Sequence, residues 1–388
     1  MKKARIIAYY LPQFHPIPEN DAIWGKGFTE WTSVAKAKPL FKGHYQPRIP
    51  ADLGFYDLRV PEVREQQAVM AHQAGIEGFC YWHYWFGNGK MLLERPFEEV
   101  LKSGKPIFPF CLCWANHSWL TSTWTNVKRS VSKQIIVEQT YPGVEDYERH
   151  FQYCLPAFRD KRYITVDGKP IFGIFDPFLF PDMKRFIETW REMALKNGLP
   201  GIFFYAITPS AGTQRYDEGG QIKRCIPNLK SSAEAYKNIL DIGFDAINSN
   251  GMQRAEMLYN GKINDLVRRT LDRFIDLPCQ RFNYDKITQN LFAPEDNWEN
   301  VYPTVYPQWD RTPRQGNRTT NVYVNSTPEN FYKQLVKAIN IISAKQDEHK
   351  IIFLKAWNEW AEGNYVEPDL KYGHGYIDAL KKALLSEV

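Results

Sequence analysis

No run of the chain reaches the roughly 18 apolar residues that a membrane helix requires, and no block of like charge stands out. The 49 Lys and Arg against 44 Asp and Glu leave a net charge of +5 that is spread along the length rather than gathered in a stripe. That distribution argues against a dedicated nucleic-acid binder. The six cysteines, Cys80, Cys111, Cys113, Cys154, Cys225 and Cys279, contain no CxxC pair. Most lie inside apolar runs, so free buried thiols and a reducing compartment are expected. Glycine-rich phosphate loops of the GxGxxG or GxxxxGK(S/T) type are missing, as are an HExxH zinc motif and a GxSxG elbow. The eight histidines show no metal-ligand spacing; neither a metal nor an organic cofactor is expected. The start, MKKARIIAYYLPQF, is basic but its apolar portion is too short for a leader. The expected location is therefore cytoplasmic, or periplasmic where a leader has been removed. Internal repeats, heptads and low-complexity tracts are also absent from the pattern.

Aromatic residues, by contrast, are plentiful: 12 Trp, 22 Tyr and 24 Phe, 15% of the chain. Such a surplus suits a sugar-binding cleft, whose subsites stack rings on rings, and it also suits the packed core of a large barrel. The two readings coexist. Strand-like runs at 5–11, 78–82, 107–114, 170–175, 202–207, 244–247, 301–306 and 351–356 alternate with helical spacing at 60–74, 95–102, 144–158, 181–197, 231–240, 328–345 and 376–385. Residues 252–274 read as a longer, partly helical insertion. Eight β/α alternations predict an α/β fold, a (β/α)8 TIM barrel with its chemistry at the C-terminal strand ends. At 388 residues the chain exceeds the ~250 typical of that barrel; a single elaborated domain over 1–388 is expected, with long βα loops over the C-terminal face. Three connections carry the excess, at 12–57, 115–139 (with Trp119 and Trp124) and 307–325.

The organising stretch is 351–367, IIFLKAWNEWAEGNYVE. An apolar run gives way to aromatics and acids, which predicts a buried strand that ends near Ala356 or Trp357 and opens onto a site. Glu359 and Glu362 are three apart. On a continued strand they would face opposite sides, whereas a turn or helical start brings them together. Two carboxylates beside Trp357, Asn358 and Trp360 are the ingredients of glycosidic-bond chemistry; a solvated loop with two surface acids is the plain alternative.

Strand ends supply a convergent set of further candidates for holding an oligo- or polysaccharide: Tyr10, Gln13, His83, Trp114, Asn116, His117, Trp309 and Asp310, with Asp176 nearby. Each has a bland reading. His83, in FCYWHYWF, fits a hydrogen-bonded core histidine; Asn116 and His117 fit residues that order their own loop; Asp310, in WDRTPR, fits a partner for Arg311 or Arg314. Glu30, in GFTEWT, is read as structural within the first long loop.

The motifs YYLPQFHPIPENDAIWGKGFTEWTSVAKAKPLFKGHYQPRIPADLGFYD, GFCYWHYWF, CWAN, WDRTPR and KAWNEWAEGNYVEPD occur in this order along nearly the whole chain. In this the chain resembles the WbsX-like family, which is similar in turn to the endo-α-mannosidase group of glycoside hydrolases. The resemblance implies a (β/α)8 fold and a catalytic Glu-x-x-Glu at the end of strand eight, falling on Glu359 and Glu362. It implies retention through a 1,2-anhydro sugar, with Glu359 taking the proton of the 2-hydroxyl and Glu362 protonating the leaving oxygen. Here Trp360 and Ala361 stand between the acids, so the His that can precede the second acid in the relatives is missing. The same family is commonly labelled glycosyltransferase and associated with bacterial surface polysaccharide (O-antigen, lipopolysaccharide, capsule). A glycoside hydrolase is the expected activity, with a glycosyltransferase and a non-catalytic glycan-binding barrel as the alternatives.

Overall fold

The computed structural model describes residues 3–121, 134–209, 215–216, 222–223, 229–271, 274–275, 277–316 and 321–385. Eight parallel strands form a closed barrel: β1 (Arg5–Tyr10), β2 (Ile76–Trp85), β3 (Phe110–Trp114), β4 (Lys169–Ile174), β5 (Phe203–Pro209), β6 (Ala246–Asn250), β7 (Val301–Val305) and β8 (Ile351–Leu354). β1 closes the ring by pairing with β8 on one side, Ile7 opposite Phe353, and with β2 on the other, Tyr9 opposite Cys80. All eight strands fall where the apolar runs placed them. The helices Pro61–Gln73, Arg95–Ser103, Val144–Phe158, Met183–Lys196, Ala233–Ile242, Pro328–Ile342 and Gly375–Leu385 alternate with them. Among the described residues no helix is long and apolar enough to cross a membrane.

The period-two alternation of each strand sorts side chains between the barrel interior and the helical layer. Inside, Tyr9 stacks on Trp82 and Phe353, and its hydroxyl donates to Asn248 Oδ1 at 2.9 Å. Asn248 Nδ2 in turn donates to Tyr302 O and Thr304 Oγ1, both at 2.9 Å, so the polar groups of the interior find partners in one another. Cys80 Sγ lies 3.3 Å from the Tyr205 hydroxyl. The four thiols Cys80, Cys111, Cys113 and Cys154 are buried and unpaired and Cys279 is half-buried and free, as the missing CxxC suggested; Cys225 lies outside the described residues.

The three long connections converge over the C-terminal end of the barrel. The first carries the short helices Pro18–Trp24 and Glu30–Lys36 and is held by rings: Phe14 and Tyr56 pack on Trp31, and Trp31 meets Trp360 at 5.3 Å. The second opens with a two-stranded ribbon, Trp119–Leu120 against Ile135–Val137, and its Trp124 lies outside the described residues. The 252–274 stretch holds the helices Met252–Asn260 and Lys262–Leu271. Beyond it Gln280–Asn283 pairs with Asn321–Val324 of the third connection. Together they enclose a small apolar cluster of Met252, Phe282, Tyr284, Tyr306, Trp309 and Tyr323.

Candidate active site

β8 ends at Leu354, two residues before the end expected from the sequence, because the chain turns across the barrel rim. Trp357 N donates to Tyr9 O at 2.7 Å, and the Asn358 amide clasps Leu11, accepting from its N–H at 2.8 Å and donating to its C=O at 3.1 Å. Asn358–Glu359 then pairs antiparallel with Asn364–Tyr365. The residues between them, Trp360–Glu362, form one 3-10 turn. Side chains three apart eclipse on such a turn, so Glu359 and Glu362 come to one side. Gly363 ends it at φ 55, where a Cβ would stand 2.8 Å from Asp310 Cβ and 2.9 Å from Arg48 Cζ.

Arg314 joins the acids. Its Nη1 donates to Glu362 Oε1 at 2.7 Å, and its Nη2 reaches Glu359 Oε1 and Glu30 Oε1, both at 3.1 Å. Arg311 Nε adds a second cation to Glu362 Oε1 at 3.0 Å. The two oxygens of the pair are thereby held within the span of one guanidinium. Glu30, fully buried, also accepts from the backbone N–H of Ala361 at 2.8 Å, which ties the first loop to the acid-bearing turn.

These surroundings push the two acids apart. Burial, reinforced by the negative charge of Glu362, raises Glu359 above the ordinary carboxylate range. For Glu362 burial acts in the same direction but is outweighed by Arg314, Arg311 and Lys355, and its pKa falls. Glu30 rises to about 7, chiefly through burial and against the pull of Arg314. Opposed environments on neighbouring carboxyls separate a proton donor from a base. The direction is the reverse of the one the resemblance implies, since Glu359 is the acid more easily kept protonated.

Glu359 and Glu362 line a cavity of about 360 Å³ whose wall includes Trp82, Tyr84, Trp119, Phe175, Trp309 and Lys355. Gln13 and Asn20 also line it; both are buried, and Gln13 Nε2 and Asn20 Nδ2 have no hydrogen-bond partner among the described residues. Buried amides left open in this way are suited to hydroxyl groups of a ligand. A second cavity of about 270 Å³, lined by Asp176, Thr208, Gln253 and Glu256, shares Phe175 and Asn250 with the first, so the two adjoin.

Of the residues singled out from the sequence, Gln13, His117, Trp309, Glu359 and Glu362 reach this cavity. Eight others are turned elsewhere. Tyr10, His83 and Trp114 sit at outward positions of their strands: Tyr10 donates to Gln67, His83 shares a 2.7 Å hydrogen bond with His150, and Trp114 donates to Trp85 O. Asn116 binds both backbone groups of Asp176, 60 residues on, and so ties the loop after β3 to the one after β4. Asp310 is fully buried beneath the site, accepting from His44, Gln46 and Thr312 rather than pairing with Arg311 or Arg314. Trp357 packs on Phe79, Trp360 stacks on Tyr365 at 3.7 Å with its N–H on Glu367, and Asn358 is the clasp already described.

Trp82, Tyr84, Asn20, Arg311, Arg314 and Lys355 were not singled out. Parity along β2 carried a signal for the first two, because His83 packs outward and its neighbours must face in. The partners of Arg314 lie 284, 45 and 48 residues away in sequence, and nothing local marks them. Among the described residues, His83, His150 and Cys154 form the one group that could hold a metal. It lies between β2 and the Val144–Phe158 helix, away from the cavity, and its two imidazoles already bind each other.

The comparisons agree with this architecture. The solved structure of a glycoside hydrolase-like protein superposes with a TM-score of 0.61 at 13% identity, covering 100% of this chain and 95% of that one. The endo-alpha-mannosidase of family GH99 from Bacteroides thetaiotaomicron superposes with a TM-score of 0.51 at 16% identity, covering 98% and 95%; in complex with BIS-TRIS-Propane the values are 0.54 and 15%, over 99% and 96%. At these identities the likeness is one of fold. Among sequences, the protein WxcX of Xanthomonas campestris pv. campestris, from strains B100 and ATCC 33913, is 33% identical over 384 residues. The match covers 98% of this chain and 50% of WxcX, so the chain spans about half the length of these relatives. The model of the family described as glycosyltransferase WbsX matches residues 6–380. The chain, a (β/α)8 barrel with two acids at the end of β8, belongs to the glycosyltransferase WbsX family.

Proposed function

We propose that this chain cleaves glycosidic bonds in a polysaccharide with retention, using Glu359 and Glu362 as its proton donor and base. The observation that carries the reading is the pair itself: two carboxyls on one cavity wall, bridged by Arg314 and driven in opposite directions by their surroundings. In the first step Glu362, ionised, takes the proton of the substrate 2-hydroxyl as that oxygen attacks C1. Glu359 gives its proton to the leaving oxygen as the C1–O bond breaks. In the second, Glu359, now a carboxylate, deprotonates the water that attacks C1, the bond between C1 and the 2-oxygen breaks, and Glu362 returns its proton to the 2-oxygen. The open amides of Gln13 and Asn20 and the faces of Trp82 and Trp309 hold the sugar. The adjoining cavity gives room for a further unit of the polymer.

A transferase is the second reading, favoured by the family's description. It uses the same groups, with a sugar hydroxyl replacing water in the second step. Incubation with a panel of bacterial surface polysaccharides, with and without sugar nucleotides, followed by mass analysis of products, separates the two. Shortened chains without a donor support hydrolysis; lengthened chains only in its presence support transfer. Glu362→Gln and Glu359→Gln should each lower turnover by roughly 10²- to 10⁴-fold while glycan binding persists. Turnover unchanged by either substitution would remove the acid pair from the mechanism, and binding without turnover in the unaltered chain would make it a glycan-binding barrel.

A further inference from the structure

We propose that Lys355, with Arg311 beside it, recognises a negatively charged group on the sugar substrate, a carboxylate or a phosphate, within the acid-bearing cavity. The proposal deepens the enzymatic reading above and rests on it. Lys355 is the first residue beyond β8, and its side chain lines the same cavity as Glu359 and Glu362. Three cations, Arg311, Arg314 and Lys355, line that cavity with two carboxylates, and a third carboxyl, Glu30, is buried against Arg314. Those carboxylates are already engaged. Glu362 is held by Arg314 and Arg311, and Glu359 by Arg314, which also holds the buried Glu30. Among the described residues no carboxylate oxygen lies within ion-pair distance of the Lys355 ammonium.

A cation without an ion-pair partner is costly in a site of this kind. The transition state of glycosidic cleavage carries positive charge at the anomeric carbon and ring oxygen, and a nearby ammonium in a partly dry cavity opposes that charge. An anionic substituent on the substrate turns the penalty into an attraction and gives the lysine its partner. The carboxylate of a uronic-acid unit in the polymer and the phosphate of an activated sugar offer the same chemistry, and the experiment distinguishes them.

Turnover is measured on a uronate-bearing bacterial polysaccharide, on the same polymer after chemical reduction of its carboxyls to alcohols, and on sugar nucleotides offered with the reduced polymer as acceptor. For a polymer substrate, KM should rise at least tenfold on carboxyl reduction. In Lys355→Met the ratio of the two KM values should collapse toward one, and Lys355→Arg should restore it. If instead the charge is on the donor, the tenfold loss in Lys355→Met appears as a higher KM for the sugar nucleotide. A lysine that only tunes the acids would shift the pH profile equally for both polymers and leave their KM ratio as it was, which overturns the proposal while the enzymatic reading stands. Should none of the three be turned over by the unaltered chain, the enzymatic reading fails first and this inference falls with it.

Discussion

At the scale of single residues, the acid pair depends on groups that never touch the cavity. Asp310 holds the turn that presents Arg311 and Arg314: it accepts from Thr312 N at 3.0 Å, Thr312 Oγ1 at 2.6 Å, Gln46 Nε2 at 2.7 Å and His44 Nε2 at 2.8 Å, with Arg48 at 3.6 Å. Burial alone would raise its pKa, but the His44 hydrogen bond and the charge of Arg48 outweigh it and bring the pKa to about 2. A carboxyl lowered from 3.8 to about 2 on folding adds stability that is complete above pH 4 and is lost as the pH falls through about 2. Each unit is worth ~1.4 kcal/mol, so about 2 kcal/mol is at stake. Urea unfolding at pH 5 and at pH 2 measures it: the unaltered chain should lose about 2 kcal/mol more between these values than Asp310→Asn does. Equal losses would show that Asp310 is not the titrating clamp. Asp310 was legible in the sequence as a charged residue in a motif, and its role was not, because its partners lie some 265 positions earlier in the chain.

Among the elements, the turn after β8 is the one on which the site depends. Its 3-10 geometry needs Gly363 in the left-handed region, at φ 55, with the space where a Cβ would be already taken by Asp310 and Arg48. A β-carbon there is strained in its backbone and crowded as well. Gly363→Ala should lower stability by about 2–4 kcal/mol, and activity should fall further than the loss of folded protein explains, since Glu362 is the adjacent residue. Thermal melting and turnover per folded molecule check the two parts; a melting temperature matching the unaltered chain would refute the crowding. The barrel strands were legible because each is a short apolar run, as both faces of a parallel strand are buried. The 3-10 turn was legible only in outline, from the spacing of Glu359 and Glu362. The sugar-binding set fared differently. Selecting aromatic and polar residues near strand ends ignored the alternation within the strand, and Tyr10, His83 and Trp114 therefore belong to the helical layer, while Trp82 and Tyr84, between and beyond them, line the cavity.

For the molecule as a whole, barrel interior and cavity floor are one packed body. Tyr205 spans the interior: its hydroxyl lies 3.3 Å from that of Tyr9, and its ring meets Phe353 at 4.8 Å. Tyr9 stacks at 4.8 Å beneath Trp82, which faces the cavity. Room for Tyr205 is made by Gly173 in β4. An added Cβ there would stand 2.7 Å from Cys113 Sγ and closer still to the Tyr205 ring and hydroxyl. Barrels of this type fill their interior with layers of side chains drawn from alternate strands, so a small residue on one strand answers a large one on the next. Native interiors are packed too densely to absorb a methyl without displacement. Gly173→Ala should therefore cost about 1–3 kcal/mol, and the displacement has a direction. Tyr205 is pressed toward Tyr9, and Tyr9 toward the underside of Trp82. The substitution lies in the interior below the acids, yet KM for the polysaccharide should rise along with the loss of stability, while the pH dependence set by Glu359 and Glu362 keeps its form. A loss of stability with KM unchanged would mean that the strain is taken up in the lower barrel and that the floor of the cavity moves independently of it.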